Sequence, residues 1–310
     1  MDYLSGWCKS KRRLDDQTVI ITGSNTGIGK ETALDLYLRG ARVILACRNL
    51  DKAKAVTQDI MNSNGDGDTG SLVIEQLDLC SLKSVRDFST RILENEKQIN
   101  ILINNAGVMA CPKGQTEDGF ETQIGVNHFG HALLTLLLLP QLIRSAPARI
   151  VTVSSLANMF FNLNLDDINQ EKSYNAFKAY SASKVANIIF MKALDMKLKE
   201  HGIKNVNTYS LHPGNISTEL GRHMDKTLFN GATWVFNNVM YYFMKSPRCG
   251  AQTSIYCAVD ETCAEESGFY YSDCGKSSMV NRQCKNPDIA LKFWDLTIEK
   301  LHLQDYNPFV

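Results

Sequence analysis

Hydrophobic residues arrive in two rhythms along this chain. Short continuous apolar runs occupy 18–22, 42–46, 72–77, 101–104, 149–153 and 206–211. Between them lie longer stretches, 29–39, 50–62, 82–95, 120–142 and 180–201, in which apolar residues return every three or four positions. The first rhythm predicts buried strands, and the second predicts helices with one apolar face. Because the two alternate through the first three-quarters of the chain, they predict βαβ units and a parallel sheet covered on both faces. A further strand-like run at 268–271 precedes a terminal helix signal at 288–301. The Gly/Asn/Asp-rich stretch 62–70 reads as a surface turn, and no repeat or low-complexity linker divides the sequence. The expected architecture is α/β, a single doubly wound Rossmann-type domain over 1–310 with 1–16 as an N-terminal arm.

Composition narrows the function classes. The 310 residues are 44% hydrophobic and 21% charged, enough apolar material for a large core. Basic and acidic residues balance at 33 each, so no basic excess points to a nucleic-acid partner. Nine cysteines, an odd number with no CxxC pair, fit reduced thiols in a reducing, cytoplasmic setting. His128 and His131 have no metal-like partners nearby in sequence, so they read as structural and no metal is expected. Residues 1–14 show no apolar core of a secretory signal, and no run reaches the ~18 apolar residues of a membrane span. The longest apolar candidate, 132–139, is expected to stop at Pro140. Lys9, Lys11, Arg12 and Arg13 lie near Tyr3, Leu4 and Trp7, which fits a solvated arm. The alternative is peripheral contact with an anionic intracellular membrane surface.

The chemistry begins after the first strand, with Thr22-Gly23-Ser24-Asn25-Thr26-Gly27-Ile28-Gly29. Glycines between a strand and a helix permit a tight turn and bring backbone N–H groups to a pyrophosphate at the helix N-terminus. After the second strand, Ala46-Cys47-Arg48 stands where NAD-preferring folds place a carboxylate for the ribose 2′-hydroxyl. An arginine there makes charge-assisted hydrogen bonds to a 2′-phosphate, which points to NADP(H). Tyr180 and Lys184, four apart in a helical stretch, share a face. A free phenol titrates near ~10, and a neighbouring ammonium is expected to lower that value and make it a usable acid–base group. Ser154 and Ser155 follow the strand at 149–153, and a hydroxyl there can stabilise a developing oxyanion.

Together these motifs resemble the short-chain dehydrogenase/reductase family. The GxxxGxG spacing of 23–29, Asn104-Asn105-Ala106-Gly107, Asn127, Ser155, Tyr180-Ser181-Ala182-Ser183-Lys184 and Pro213-Gly214-Asn215-Ile216-Ser217-Thr218 carry the likeness, in order, across roughly 17–273. The resemblance implies that Asn127, Ser155, Tyr180 and Lys184 are catalytic, and it selects Ser155 over Ser154. It implies that Asp78 and Leu79 flank an adenine, Asn105 with Ala106 and Gly107 a ribose, and that Ile216 and Thr218, beyond Pro213 and Gly214, hold the nicotinamide carboxamide. Asn127 resembles the asparagine that holds a proton-relay water near the lysine. The helices at 120–142 and 180–201 resemble those that pair in family homodimers.

Two features bear on the substrate. Residues 156–179 form an insertion beside Ser155 and Tyr180, and 228–244 is rich in Phe, Trp, Tyr, Met and Leu. Apolar aromatic walls suit a lipophilic ligand, although a helix in the core or at a dimer interface explains 228–244 as well. With Ala46-Cys47-Arg48 and Tyr209-Ser210-Leu211-His212-Pro213-Gly214, the chain looks like the retinol dehydrogenase branch, whose members interconvert retinol and retinal. That branch often carries an apolar N-terminal anchor, and the first residues here show none. The alternatives are a reductase of non-retinoid aldehydes, ketones or steroids, and a non-catalytic NADP(H)-binding scaffold.

Overall fold

In a computed structural model, residues 2–63, 67–216 and 244–310 are described. Thr218 and all but Met244 of the aromatic stretch 228–244 lie outside them. Seven strands appear where apolar runs predict them: β1 Thr18–Thr22, β2 Arg42–Cys47, β3 Ser71–Gln76, β4 Ile101–Asn104, β5 Ala148–Val153, β6 Val206–His212 and β7 Phe269–Ser272. A two-residue β8, Gly275–Lys276, closes the edge. The sheet order is β3-β2-β1-β4-β5-β6-β7-β8. Every neighbouring pair is parallel except the antiparallel β7–β8.

Strands β1, β4 and β5 are buried at every position, which is why they read as unbroken apolar runs. One face is covered by α1 Gly27–Leu38, α2 Leu50–Asn62 and a later helix at Pro247–Val259, through Leu36, Ile60 and Ile255 among others. The other is covered by α3 Leu82–Asn95, α4 Thr122–Arg144, α5 Ala176–Glu200 and a terminal helix, Pro287–Lys300, through Phe88, Leu134, Ile189 and Phe293. In chain order the last two are α6 (Pro247–Val259) and α7 (Pro287–Lys300). Strand order reverses between β1 and β4, so their carboxyl ends open a crevice where ligands of such sheets bind.

Two expectations need correction. The apolar candidate does not end at Pro140: α4, as the periodicity over 120–142 predicts, runs through it to Arg144. The ring removes the N–H that would bond the Leu136 carbonyl, and the Tyr306 hydroxyl donates to that carbonyl instead at 3.4 Å. The unbroken α4 is therefore long and apolar enough to cross a membrane by length and composition, yet 83% of its apolar window is buried, as in a core helix. Nor do residues 2–16 form a free solvated arm. Leu14 is fully buried, Cys8 N–H donates to Gln252 Oε1 at 3.2 Å, and the Asp2 carboxylate accepts from Ser246, the N-cap of α6. Arg39 holds the Ser10 and Arg12 carbonyls at 2.9 and 3.0 Å.

Candidate active site

At the crevice lies a cleft of about 780 Å³. Its wall begins at the glycine turn after β1. Gly23 has φ +64°, and a Cβ there would sit 2.9 Å from Ala106 Cα. A Cβ on Gly29 would approach the Gly23 carbonyl to 2.5 Å, so α1 can pack this close to the turn only with glycine. Thr26, the N-cap of α1, makes no side-chain capping bond, and α1 has no acidic residue in its first turn. That leaves the backbone N–H groups of Gly27, Ile28 and Gly29 to an anion in the cleft they line. Asn25 and Thr26 line the cleft too. Ser24 does not: it is fully buried, with its hydroxyl on the Ile21 carbonyl at 3.1 Å.

The far end of the cleft is set by β2 and β3. Arg48, Asp78 and Leu79 all line it. Asp78 shapes the turn by accepting the Cys80 N–H at 2.9 Å, while the N-cap of α3 is Ser81. Sequence reasoning missed Asn49 and Lys52, which line the same end. Asn49 caps α2 by accepting the Lys52 N–H at 2.9 Å. The signal for Lys52 was its place in the first turn of α2, directly after Arg48 and the Asn49 cap.

The middle is organised by Thr22. Its Oγ1 accepts the N–H groups of Asn105 at 3.0 Å and Ala106 at 2.9 Å, so its own proton goes to His131 Nε2 at 2.8 Å. The Nδ1 of His131 then carries the ring proton and donates to the Asn127 carbonyl at 3.1 Å. Burial holds His131 down to about 4, which keeps the ring neutral as this relay requires. Asn105, Ala106 and Gly107 line the cleft. Asn127 lies beneath it, fully buried, accepting the Val108 N–H at 2.8 Å and donating to the Val108 carbonyl and to Ser183 Oγ, both at 2.9 Å. The asparagine thus ties the loop after β4 to α5. A Cβ on Gly107 would meet Asn127 Oδ1 at 3.3 Å and Lys184 Nζ at 3.5 Å, so both side chains crowd this backbone.

The candidate reacting groups come from the end of β5 and from α5. Lys184 is buried, with Nζ donating to the Val153 carbonyl at 3.1 Å and standing 5.6 Å from the Tyr180 ring centroid. Geometry separates the two serines. Ser154 is committed to the Lys184 carbonyl at 2.8 Å, whereas Ser155 Oγ accepts the Ala157 N–H at 3.2 Å and lies close enough to the Tyr180 phenol to pull its pKa down. Burial pushes the phenol up to about 12, with Ser155 pulling the other way, and pushes the Lys184 ammonium down to about 8. The expected lowering of the phenol is not seen: burial is the dominant influence and holds the phenol raised. Pro213, Gly214 and Ile216 complete the lining from the end of β6. Among the described residues no cluster of potential metal ligands occurs, and none of the nine cysteines is in a disulfide.

This arrangement matches known proteins. The model of the short chain dehydrogenase family fits residues 17–228. Retinol dehydrogenase 11 of Homo sapiens is 46% identical over 299 residues, covering 96% of this chain and 90% of that protein. Human retinol dehydrogenase 13 is 45% identical over 298 residues, covering 94% and 87% respectively. An uncharacterized protein from Mycobacterium paratuberculosis superposes with a TM-score of 0.75 at 31% identity, covering 96% of this chain and 98% of that one. The RhlG/NADP active-site complex of Pseudomonas aeruginosa shares the fold with a TM-score of 0.63 at 21% identity, over 90% and 98%.

Proposed function

The chain belongs to the short-chain dehydrogenase family, and from that premise we propose that it uses NADP(H) to interconvert a lipophilic alcohol and its aldehyde or ketone, with retinol and retinal as the pair. The activity class, an alcohol-dehydrogenase-type oxidoreductase, follows from the family and its retinol dehydrogenase relatives. The observation that carries the site assignment is the convergence of Ser155, Tyr180 and Lys184 on the cleft that also receives the uncapped start of α1.

The donor set suits a phosphorylated dinucleotide. The N-terminus of α1 would take its pyrophosphate, Arg48 and Lys52 the additional phosphate, and Ile216 with Thr218 the carboxamide. When bound, the cofactor supplies or accepts the hydride. Tyr180, neutral below about 12, donates its proton to the substrate oxygen as negative charge develops there. Ser155 donates a hydrogen bond to the same oxygen and stabilises that charge. Lys184, largely an ammonium at neutral pH, places positive charge near the phenol and stabilises the phenolate left when the proton is transferred. In the oxidative direction the same groups run in reverse.

The test is Tyr180→Phe, which removes the proton and keeps the ring. Turnover of retinal is expected to fall by about 10²–10⁴, with NADPH binding, read by fluorescence titration, retained. Near-normal turnover in this variant sinks the assignment.

A further inference from the structure

The insertion 156–179 presents three phenylalanines that the core does not use. Phe160, Phe161 and Phe177 are 71%, 42% and 39% exposed, while Phe88, Phe129 and Phe293 are fully buried. All three exposed rings line the cleft that holds Ser155 and Tyr180. Phe177 lies one turn before Tyr180 on α5, and Phe160 and Phe161 follow the short 3-10 turn Leu156–Met159 that Ser155 caps.

Their backbone is firmly held. Ser181, the residue after Tyr180, accepts the Phe161 N–H at 3.0 Å and donates to the Ala157 carbonyl at 2.6 Å. The buried Asn158 donates to the Ser155 carbonyl at 2.7 Å and accepts the Asn281 N–H at 2.8 Å. The Asn281 side chain donates to the Asn158 carbonyl at 3.2 Å and to Asn162 Oδ1 at 3.0 Å. Buried polar groups thus fix the turn in register with Tyr180 while its rings stay open to water. Exposed rings on a rigid, polar-anchored frame are poised to gain apolar contact from a ligand at little ordering cost.

We infer that Phe160, Phe161 and Phe177 form the apolar subsite of the cleft, which takes the chain of an extended aliphatic or polyene substrate whose oxygen lies at Tyr180 and Ser155. This rests on the proposed oxidoreductase reading and adds where specificity for chain length is set. A fully buried methylene contributes about fourfold in affinity, so a half-covered chain gains about twofold per methylene.

The experiment measures kcat/KM with NADPH for a series from butanal to decanal. In the unmutated protein decanal is expected to exceed butanal by about 50-fold. In the triple variant Phe160→Ser, Phe161→Ser, Phe177→Ser the ratio drops below about 5-fold, and the triple Phe→Leu variant restores most of it. Calorimetric affinities of octanamide against butanamide, unreactive analogues, for the NADPH-bound protein read the same preference without turnover, at about 16-fold for their four-methylene difference. A ratio unchanged in the serine variant overturns the subsite, as does an unchanged ratio alongside lost binding to phosphatidylcholine vesicles, which assigns the rings to a lipid surface. If no aldehyde is turned over but the amide ratio responds, the oxidoreductase reading falls and the subsite stands. If neither responds, both fall.

Discussion

The floor and the mouth of the cleft are built by opposite means. At the floor, Thr22, His131, Asn127, Ser183 and Lys184 are buried polar groups with defined partners, linked from the glycine turn through α4 to α5. At the mouth, Phe160, Phe161 and Phe177 are exposed apolar side chains whose backbone alone is tied down. The contrast separates two tasks. Proton transfer needs charges and dipoles fixed in a water-poor setting, where each interaction is strong and each missing partner is costly. Recognition of an apolar chain needs surface that gains by being covered.

Changes at the floor are therefore expected to act on the chemical step whatever the substrate, and changes at the mouth on discrimination between substrates. After the loss expected of Tyr180→Phe, the next effect in size falls on Ser155→Ala, which should lower kcat by about 10²–10³ for short and long aldehydes alike. A loss confined to long substrates would move Ser155 from the floor to the mouth. Arg48→Asp sits at neither end and should leave chain-length preference untouched. It is expected to reverse the preference for NADPH over NADH, with a swing of about 10–100-fold in the ratio of their kcat/KM values. Equal efficiencies in the unmutated protein would remove the role of Arg48.

pH gives a smaller effect that the floor feels and the mouth does not. Lys184 is depressed to about 8, so its ammonium is lost as pH rises through that value. Carbonyl reduction by the unmutated protein should decline above about 8, with the same midpoint for butanal and decanal. Stability responds at the other end of the scale. His131 and His212 are held down to about 4 from an ordinary 6.5, and so stay neutral in the fold while the unfolded chain takes up protons. Their contribution is complete above about 6.5 and is lost as pH falls toward about 4, so the melting temperature should drop across that window. A flat melting profile there would show that these rings do not stay neutral in the fold.

The floor was more legible in the sequence than the mouth, for physical reasons. Strands buried on both faces leave unbroken apolar runs, and the glycine turn, Tyr180, Lys184 and Arg48 stand at fixed offsets from strand ends. What stayed hidden depends on partners far away in the chain. Pro140 reads as the end of the apolar candidate 132–139, yet α4 continues through it, with Tyr306 serving the carbonyl it orphans. Ser24 reads as part of a phosphate loop, yet its hydroxyl turns inward to Ile21. The phenol of Tyr180 is expected to be lowered by its lysine neighbour, because spacing shows the neighbouring charge and not the burial that raises the phenol. Phe160 and Phe161 adjoin Ser155 in sequence, but that their rings are exposed while Asn158 and Asn281 anchor their backbone is a tertiary fact.

The central claim is tested most directly by steady-state kinetics of the unmutated protein with retinal, using NADPH and NADH in parallel. Retinal-dependent oxidation of NADPH, with kcat/KM well above that for NADH, is the predicted result. No carbonyl-dependent oxidation of either cofactor, or equal use of both, would contradict it.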